Sequence, residues 1–313
     1  MKPEILFLED ASTVLPIVEL LEPHFTIHKL AEGKGAEAVP SDVAERIRGM
    51  LATTNRGVAE SLIDALPKLE MIAVPGGHMH RFPLELLRRR GIRLTNAPAI
   101  SIDDVADLVI GLMLAAARRI CEGDRFIRAG KWLEGGFPFA TRVSGKKIGI
   151  VGLGRIGRRV GLRAEGFAMD IHYHEPEAFD DVPYRFCPDL LQMATTVDFL
   201  VITCPTIPET HHVVNKAVLE ALGPEGILVN VVRHCVDMAA LTTALADGTV
   251  GAAALDVFDD EPNVPEAFLA AENVVVSPHA AWKTKEGRMI FAQMAADNLC
   301  AYFDGKPLLT PVI

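Results

Sequence analysis

Cysteine, aromatic residues and long apolar runs are all scarce in this chain of 313 residues. The five cysteines are scattered, odd in number and form no CxxC pair, which argues against a disulfide framework and predicts a reducing, cytoplasmic environment. The most apolar helical stretch, residues 105–117, carries Asp107 and is shorter than the roughly 20 residues that span a bilayer. Charged residues from Lys2 to Asp10 interrupt the N-terminus, so we expect neither a secretory signal nor a membrane partner.

Positive charge is also in deficit. The chain has 31 Lys and Arg against 41 Asp and Glu, a formal net charge of −10. Such a balance argues against nucleic acid or an anionic membrane as the main partner. The length predicts two domains, each with room for its own core.

Short apolar strands alternate with helical segments along most of the chain. The pattern predicts strands at 5–9, 25–30, 50–53, 71–75 and 92–96, and a second series at 147–151, 170–174, 184–187, 199–203, 226–232, 251–257 and 273–277. Alternating strands and helices are typical of doubly wound parallel sheets. We therefore predict an α/β fold with two Rossmann-like domains.

The domain boundaries are predicted from two helices and from the proline and loop residues between them. Pro98 and the loop 135–141 are candidate boundaries, and the C-terminal helix near 286–303 has no strand of its own to cover. We predict a discontinuous first domain (1–97 and 284–313) and a second domain (98–283) inserted into it. The helix at 104–119 is apolar around nearly its whole circumference, which predicts burial in a core or, as we favour, in a subunit interface.

A glycine-rich turn follows the strand at 147–151. Gly152, Gly154 and Gly157 form GxGxxG where a helix begins, with Arg155 and Ile156 between them. The first glycine permits the tight turn, the second lets a pyrophosphate approach the backbone, and the third lets helix and strand pack closely. An acidic residue, Glu175, ends the next strand, where a carboxylate accepts from a ribose 2′-hydroxyl. The sequence therefore predicts a dinucleotide site.

Three further strands end in polar residues of catalytic character. Arg233 follows the strand at 226–232, Glu261 follows that at 251–257, and His279 follows that at 273–277. Ligands of open α/β sheets bind at the carboxyl ends of the strands, which is where these side chains lie.

The chain resembles the D-isomer-specific 2-hydroxyacid dehydrogenases over almost its whole length. The likeness is carried by GLGRIG at 152–157, CPTIPET at 204–210, LDVFDDEP at 255–262 and SPHAAW at 277–282. It implies a homodimer in which the discontinuous first domain is a flavodoxin-like substrate domain and the second a nucleotide domain. It also implies a nicotinamide coenzyme and reduction of a small 2-oxo acid such as glyoxylate or hydroxypyruvate.

The resemblance also implies a role for each strand-end residue. Arg233 would bind the carboxylate and carbonyl oxygens of the substrate, for which its rigid fork of donors is suited. His279 would exchange a proton with the substrate oxygen, and Glu261 would orient the imidazole. Asp256 would bind the nicotinamide carboxamide or cap its own turn, and four residues would line the coenzyme: Cys204, Pro205, Val231 and Val232. Backbone N–H groups of Gly76, Gly77 and His78 would bind the substrate carboxylate.

Coenzyme preference is predicted from the end of the second nucleotide-domain strand. Glu175 would repel a 2′-phosphate, and Pro176 and Glu177 stand where many relatives have arginine. We therefore expect NAD(H), with NADP as the other possibility.

Two departures from the family pattern leave alternatives open. His234 follows Arg233 where glycine is usual, and the next Asp, Asp237, comes one residue early; His78 occupies a glycine position. A displaced Arg233 would suit an NAD-sensing scaffold of the corepressor kind, and a bulky His78 would suit a dehydrogenase of larger 2-oxo acids. The paired histidines at 78/80, 172/174 and 211/212 lack partners at metal-site spacings, so no metal is expected.

Overall fold

A computed structural model describes residues 2–10, 16–77, 79–97 and 101–313. The chain divides into two compact units, Met1–Ser101 with Thr284–Ile313, and Ile102–Lys283. The predicted boundary residue Pro98 lies outside the described residues. The loop 135–141 lies inside the second unit, so its interpretation as a boundary was wrong.

The first unit contains a five-stranded parallel sheet in the order β2-β1-β3-β4-β5, the order of flavodoxin-like sheets. Its strands are β1 Glu4–Leu8, β2 Thr26–Leu30, β3 Ile47–Leu51, β4 Met71–Ala73 and β5 Arg93–Thr95. Its first helices are α1 Ile17–Leu21, α2 Ser41–Ala44, α3 Glu60–Asp64 and α4 Leu84–Arg90. The C-terminal helix, α12 (Lys285–Phe303), buries an alanine-rich face against β4 and α1.

The second unit is built on a seven-stranded parallel sheet. Its strands are β6 Lys147–Val151, β7 Asp170–His174, β8 Arg185–Phe186, β9 Phe199–Ile202, β10 Ile227–Asn230, β11 Ala252–Leu255 and β12 Val274–Val276. They lie in the order β12-β11-β10-β9-β6-β7-β8. The helices are α5 Ile102–Ala117, α6 Ile120–Arg128, α7 Arg155–Glu165, α8 Leu190–Ala194, α9 Lys216–Leu222, α10 Met238–Ala246 and α11 Glu266–Ala270. Because the order reverses between β6 and β9, the carboxyl edge opens there.

The central strands of the second sheet, β6, β9, β10 and β11, are mostly apolar because helices cover both faces of the sheet. One core lies against α8, α9 and α10, and the other lies against α5 and α7. Seven residues of α5 are buried in the latter core, including Val109 and Met113. Burial in a core, one of the two positions predicted for this helix, accounts for these seven residues, and the preference for a subunit interface stays a prediction.

All twelve predicted strands are present, with differences at their ends. β3 starts at Ile47, three residues before the predicted strand at 50–53, because α2 is a single turn that ends at Ala44. The long helix ends at Ala117 and a second helix starts at Ile120, since Arg119 between them has a left-handed φ of 54°.

Candidate active site

The order of strands in the second sheet separates two groups of predicted site residues. Arg233, Glu261 and His279 follow β10, β11 and β12, which are neighbours on one side of the sheet. The glycine turn and Glu175 follow β6 and β7 on the other side. The carboxyl edge therefore carries a nucleotide half and a catalytic half, with the reversal point between them.

The glycine turn after β6 has the shape that a pyrophosphate requires. Gly152 has a φ of +95°, and a Cβ on it would lie 2.3 Å from the Cys204 backbone. A Cβ on Gly157 would lie 2.2 Å from the Gly152 carbonyl oxygen, so neither position admits a side chain. A Cβ on Gly154 would meet nothing within 4 Å, so the space above it is open. The residues present therefore fit a dinucleotide, with the first N–H groups of α7 at the opening.

Two residues of this turn contribute through position rather than through a side-chain contact. Arg155 is exposed at the first position of α7, and Ile156 packs against the core with part of its surface free. The Gly152 N–H donates to the His174 carbonyl oxygen at 3.1 Å, which holds Glu175, the next residue, beside the glycine turn.

Cys204 and Pro205 follow β9 at the reversal point. Cys204 is 4% exposed, and its thiol donates to the Cys235 sulfur at 3.6 Å. This hydrogen bond and burial raise the pKa of Cys204, whereas the same bond lowers the pKa of Cys235. A thiol that is buried and held protonated serves packing rather than nucleophilic attack.

The end of β10 carries a buried amide directly before Val231 and Val232, two of the residues predicted to line the coenzyme. Asn230 is fully buried, and its side-chain oxygen accepts from the Val232 N–H at 3.1 Å. Its Nδ2 is buried and has no partner among the described residues. Val231 and Val232 are half-buried and pack against the two different cores.

The three strand-end residues converge on one carboxylate oxygen. Glu261 Oε2 accepts from Arg233 Nη2 at 2.8 Å and from His279 Nδ1 at 2.8 Å. Nη2 and Nδ1 lie 3.1 Å apart because they share this acceptor. The side chains of Arg233, Glu261 and His279 are 28%, 21% and 29% exposed, so each can still be reached by a small molecule.

The electrostatics keep Glu261 ionised and the His279 proton on a defined nitrogen. Burial raises the pKa of Glu261, but hydrogen bonds from His279, the Phe258 N–H and Arg233 outweigh it and hold that pKa below its ordinary value. An ionised acceptor at Nδ1 places the fixed proton there, which leaves Nε2 as the nitrogen that can exchange a proton. Arg233 Nε is buried and has no partner among the described residues, so this guanidinium keeps an unused donor.

His279 lies in a strained turn held by one buried aspartate. We call residues 277–281 the histidine turn; His279 has a φ of 51°, in the left-handed region that disfavours side chains with a Cβ. The Asp256 carbonyl oxygen accepts from the His279 N–H at 2.8 Å. Its carboxylate accepts from the N–H groups of Ala280 and Ala281 at 2.8 and 3.1 Å. Asp256 is 1% exposed, and its carboxylate caps the histidine turn, which follows β12, where the sequence predicted capping of its own turn.

Arg233 lies in a turn with the same kind of strain. We call residues 233–237 the arginine turn; His234 has a φ of 62°, and Asp237 ends the turn as the N-cap of α10. Asp259 Oδ1 accepts from the His234 N–H at 3.0 Å, and Thr206 Oγ1 donates to the Arg233 carbonyl oxygen at 3.0 Å. Sequence analysis missed Asp259 and Thr206 because neither carries a motif role; a histidine in place of glycine after Arg233 was the available signal.

The shortened arginine turn therefore does not displace the guanidinium from its partners. Backbone hydrogen bonds tie it to residues 212–214: His212 N–H to the His234 oxygen at 2.8 Å, Val214 N–H to the Cys235 oxygen at 3.0 Å, and Asp237 N–H to the Val214 oxygen at 3.0 Å. Tied in this way, the turn presents Arg233 to Glu261.

The predicted substrate loop belongs to the first unit. The Gly76 N–H donates to the Val74 carbonyl oxygen at 2.9 Å, so it is already occupied, and a Cβ on Gly76 would lie 2.6 Å from Thr54. Gly77 is exposed, and His78 lies outside the described residues.

Metal clusters and membrane-spanning helices are both absent from the described part of the chain. Across residues 2–10, 16–77, 79–97 and 101–313, no group of three or more His, Cys, Asp or Glu is placed to hold a metal ion. In the same described ranges, no helix has the length and apolar character needed to cross a membrane.

Comparison with known proteins agrees with the site. The model of the D-isomer specific 2-hydroxyacid dehydrogenase NAD binding domain matches residues 110–281. The chain is 45% identical to a hydroxyphenylpyruvate reductase of Plectranthus scutellarioides over 272 residues, 86% of this chain and 87% of the relative. A 2-hydroxyacid dehydrogenase structure from Ketogulonicigenium vulgare superposes with a TM-score of 0.89 at 42% identity, covering 100% and 99% of the two chains.

A second solved structure has a similar fold and a named coenzyme. It is an NADPH-dependent glyoxylate/hydroxypyruvate reductase from Sinorhizobium meliloti, with a TM-score of 0.89, 36% identity and 99% and 98% coverage. Both the family model and relatives above 30% identity over most of the chain agree with the motifs and the geometry of the carboxyl edge. The chain belongs to the D-isomer-specific 2-hydroxyacid dehydrogenase family.

Proposed function

We propose that the protein reduces small 2-oxo acids to D-2-hydroxy acids, with glyoxylate and hydroxypyruvate as the leading substrates. The observation that carries the proposal is the single Glu261 oxygen that joins Arg233 and His279. The Arg233 side chain is 28% exposed and can be reached by an anionic substrate, and among the described residues no hydrogen bond occupies His279 Nε2, which is proposed to exchange a proton. The roles of Arg233, Glu261 and His279 are likewise proposed.

In the proposed reaction each side chain has one task. Arg233 binds and polarises the 2-oxo acid through charge-assisted hydrogen bonds. His279 gives the substrate oxygen a proton from Nε2 during reduction and takes it back in the reverse direction. Glu261 holds the ring and favours its protonated form through Nδ1.

The coenzyme, when bound, supplies the hydride. Gly152, Gly154 and the first turn of α7 would hold its pyrophosphate, and Cys204 with Pro205 would lie along its adenosine. The unpaired Asn230 Nδ2 and the half-buried Val231 and Val232 would lie on its nicotinamide side. Asp256 would contact the nicotinamide carboxamide while it keeps its hydrogen bonds to the histidine turn.

We propose a preference for NAD(H), because Glu175 stands beside the glycine turn where a 2′-phosphate would meet a like charge. The Sinorhizobium relative is NADPH-dependent, so the test has to include both coenzymes. We expect kcat/KM with NADH to exceed that with NADPH by at least about tenfold, which is about 1.4 kcal/mol. A tenfold preference for NADPH would contradict the proposal.

For the substrate, the Gly77 and His78 N–H groups of the first unit are proposed to bind the carboxylate, with Gly76 shaping the loop. A second candidate function is reduction of a bulkier 2-oxo acid, since the Plectranthus relative is a hydroxyphenylpyruvate reductase. A panel of glyoxylate, hydroxypyruvate, pyruvate and hydroxyphenylpyruvate would rank the candidates by kcat/KM. His279→Gln should reduce kcat by at least about 100-fold for whichever acid is preferred; unchanged turnover would remove His279 from the mechanism.

We also propose that the protein is a homodimer and is cytoplasmic. Large apolar side chains are exposed in residues 120–139, among them Trp132 at 67%, Leu133 at 95% and Phe139 at 104%. A patch of this kind is typical of a subunit interface. Light scattering should give twice the mass of 33.9 kDa, and Leu133→Glu should produce monomer. The cytoplasmic location is supported by the five free thiols.

A further inference from the structure

The arginine turn contains a side-chain pair that no part of the proposed reaction uses. His234 Nδ1 lies 3.1 Å from Asp259 Oδ1, and the same oxygen accepts from the His234 N–H at 3.0 Å. The two side chains are 43% and 33% exposed, so the pair lies on the surface of the second unit. Exposed pairs of this kind contribute little to global stability.

The place of the pair in the chain gives it a local consequence. Arg233 precedes His234 directly, and Asp259 is separated from Glu261 by one residue. The segment 259–261 therefore contacts Arg233 at two places. Asp259 accepts from the N–H of the peptide that joins Arg233 to His234, and Glu261 Oε2 accepts from the guanidinium. A shift of Asp259 would move the backbone on which the guanidinium is carried.

The backbone conformation at His234 makes such a restraint necessary. Its φ of 62° lies in the left-handed region, which a residue with a Cβ adopts only when its surroundings hold it there. Glycine would adopt this conformation freely. The chain instead combines a strained histidine with an aspartate that accepts from its backbone N–H and lies within ion-pair distance of its ring, 3.1 Å from Nδ1.

We propose that His234 and Asp259 form a clasp, a pair of positioning residues that sets the Arg233 guanidinium for the 2-oxo acid. The inference rests on the proposed function of Arg233 and adds two residues to it. Neither clasp residue touches the substrate; both act through the arginine turn. The strained, clasped histidine takes the place of the longer glycine-containing turn that is usual in the family.

The test compares Asp259→Ala, Asp259→Asn and His234→Gly with the wild type, and uses Asp260→Ala as the matched control. Asp260 is adjacent and acidic, and within the part of the chain that the structure describes it bonds only Asn263. We expect Asp259→Ala to lower kcat/KM for the preferred 2-oxo acid by about tenfold, through both a higher KM for the acid and a lower kcat, because a small misplacement of a binding group is costly. Asp259→Asn, which keeps the acceptor oxygen, should stay within about threefold of the wild type.

His234→Gly separates positioning from stability. Glycine relieves the left-handed strain, so the melting temperature should stay level or rise, while kcat/KM falls by about fivefold because the turn is freer. The dissociation constant for NADH, measured by fluorescence, should be unchanged in all four variants. The clasp would be overturned if Asp259→Ala and His234→Gly both kept the wild-type kcat/KM, or if Asp260→Ala lost as much kcat/KM as they do. Either result would leave the proposed function intact. A wild-type protein inert towards every 2-oxo acid would overturn the proposed function itself.

Discussion

The two strained turns of the catalytic half are held by aspartates in different environments. The histidine turn is held by Asp256, which is 1% exposed and bonds three consecutive N–H groups. The arginine turn is held by Asp259, whose side chain is 33% exposed and whose carboxylate accepts from a single N–H group and lies 3.1 Å from a ring nitrogen of His234. Both aspartates come from the segment that follows β11, which also supplies Glu261. The group proposed to transfer a proton is thus fixed from within the core, and the group proposed to bind the substrate is fixed at the surface.

Asp256→Asn is expected to have the largest effect on both stability and activity. An amide presents an oxygen to one of the two N–H groups and an NH₂ to the other, which leaves a buried donor unpaired. The free energy of unfolding should fall by about 2 kcal/mol, and kcat/KM should fall by at least about 100-fold. Urea unfolding and steady-state kinetics would measure the two quantities.

The matched control is Asp259→Asn, which should change the free energy of unfolding by less than about 0.5 kcal/mol because its site is exposed. Equal losses of stability in the two variants would remove the contrast between a buried and a surface restraint.

Glu261→Gln should have the next largest effect, because Glu261 is the point at which the two turns meet. The neutral amide favours the charged imidazole less, so kcat should fall by about 10- to 100-fold. The lowered pKa of Glu261 also predicts a pH dependence of stability. Above pH 4.5, the ordinary pKa, the carboxyl group of Glu261 is ionised in both the folded and the unfolded protein, so its stabilisation of the folded state is fully present there. That stabilisation is lost as the pH falls through the lower pKa of the folded state.

Thermal unfolding of the wild type and Glu261→Gln across pH would test that sign. The gap in melting temperature should be constant from pH 6 to 8 and should close below about pH 4.5. A gap that widens with acid would show that the native state does not hold this carboxylate ionised.

Thr206→Val should have the smallest effect. It removes the hydrogen bond from Thr206 Oγ1 to the Arg233 carbonyl oxygen at an exposed position while keeping the shape of the side chain. The KM for the 2-oxo acid should rise by about two- to fivefold, with the free energy of unfolding unchanged within about 0.5 kcal/mol. Kinetics indistinguishable from the wild type would show that backbone bonds to residues 212–214 suffice to hold the turn.

The sequence predicted those parts of the molecule that depend on local pattern. Apolar strands, the glycine spacing and the strand-end residues are each visible within a few positions, and all appear in the structure where the pattern puts them. The bend at Arg119 and the early start of β3 were missed because tertiary packing, rather than propensity, sets such ends.

The restraints on the two turns were harder to predict for a different reason. The Asp259–His234 contact joins residues 25 positions apart and exists only because His234 adopts a left-handed conformation. No spacing rule predicts either condition. The sequence predicted that Asp256 would bind the carboxamide or cap its own turn. That its carboxylate caps the histidine turn, which follows a different strand, depends on the pairing of β11 with β12 and could not be predicted from local pattern.

The most direct measurement of the central proposal is the product formed from hydroxypyruvate with NADH that carries deuterium at the transferred position. Transfer at the catalytic half, with Arg233 binding the acid and His279 giving its proton, predicts a D-2-hydroxy acid with deuterium at C2, formed at least about 100-fold more slowly by His279→Gln. Product of the opposite configuration, or deuterium-free product from hydroxypyruvate, would contradict it.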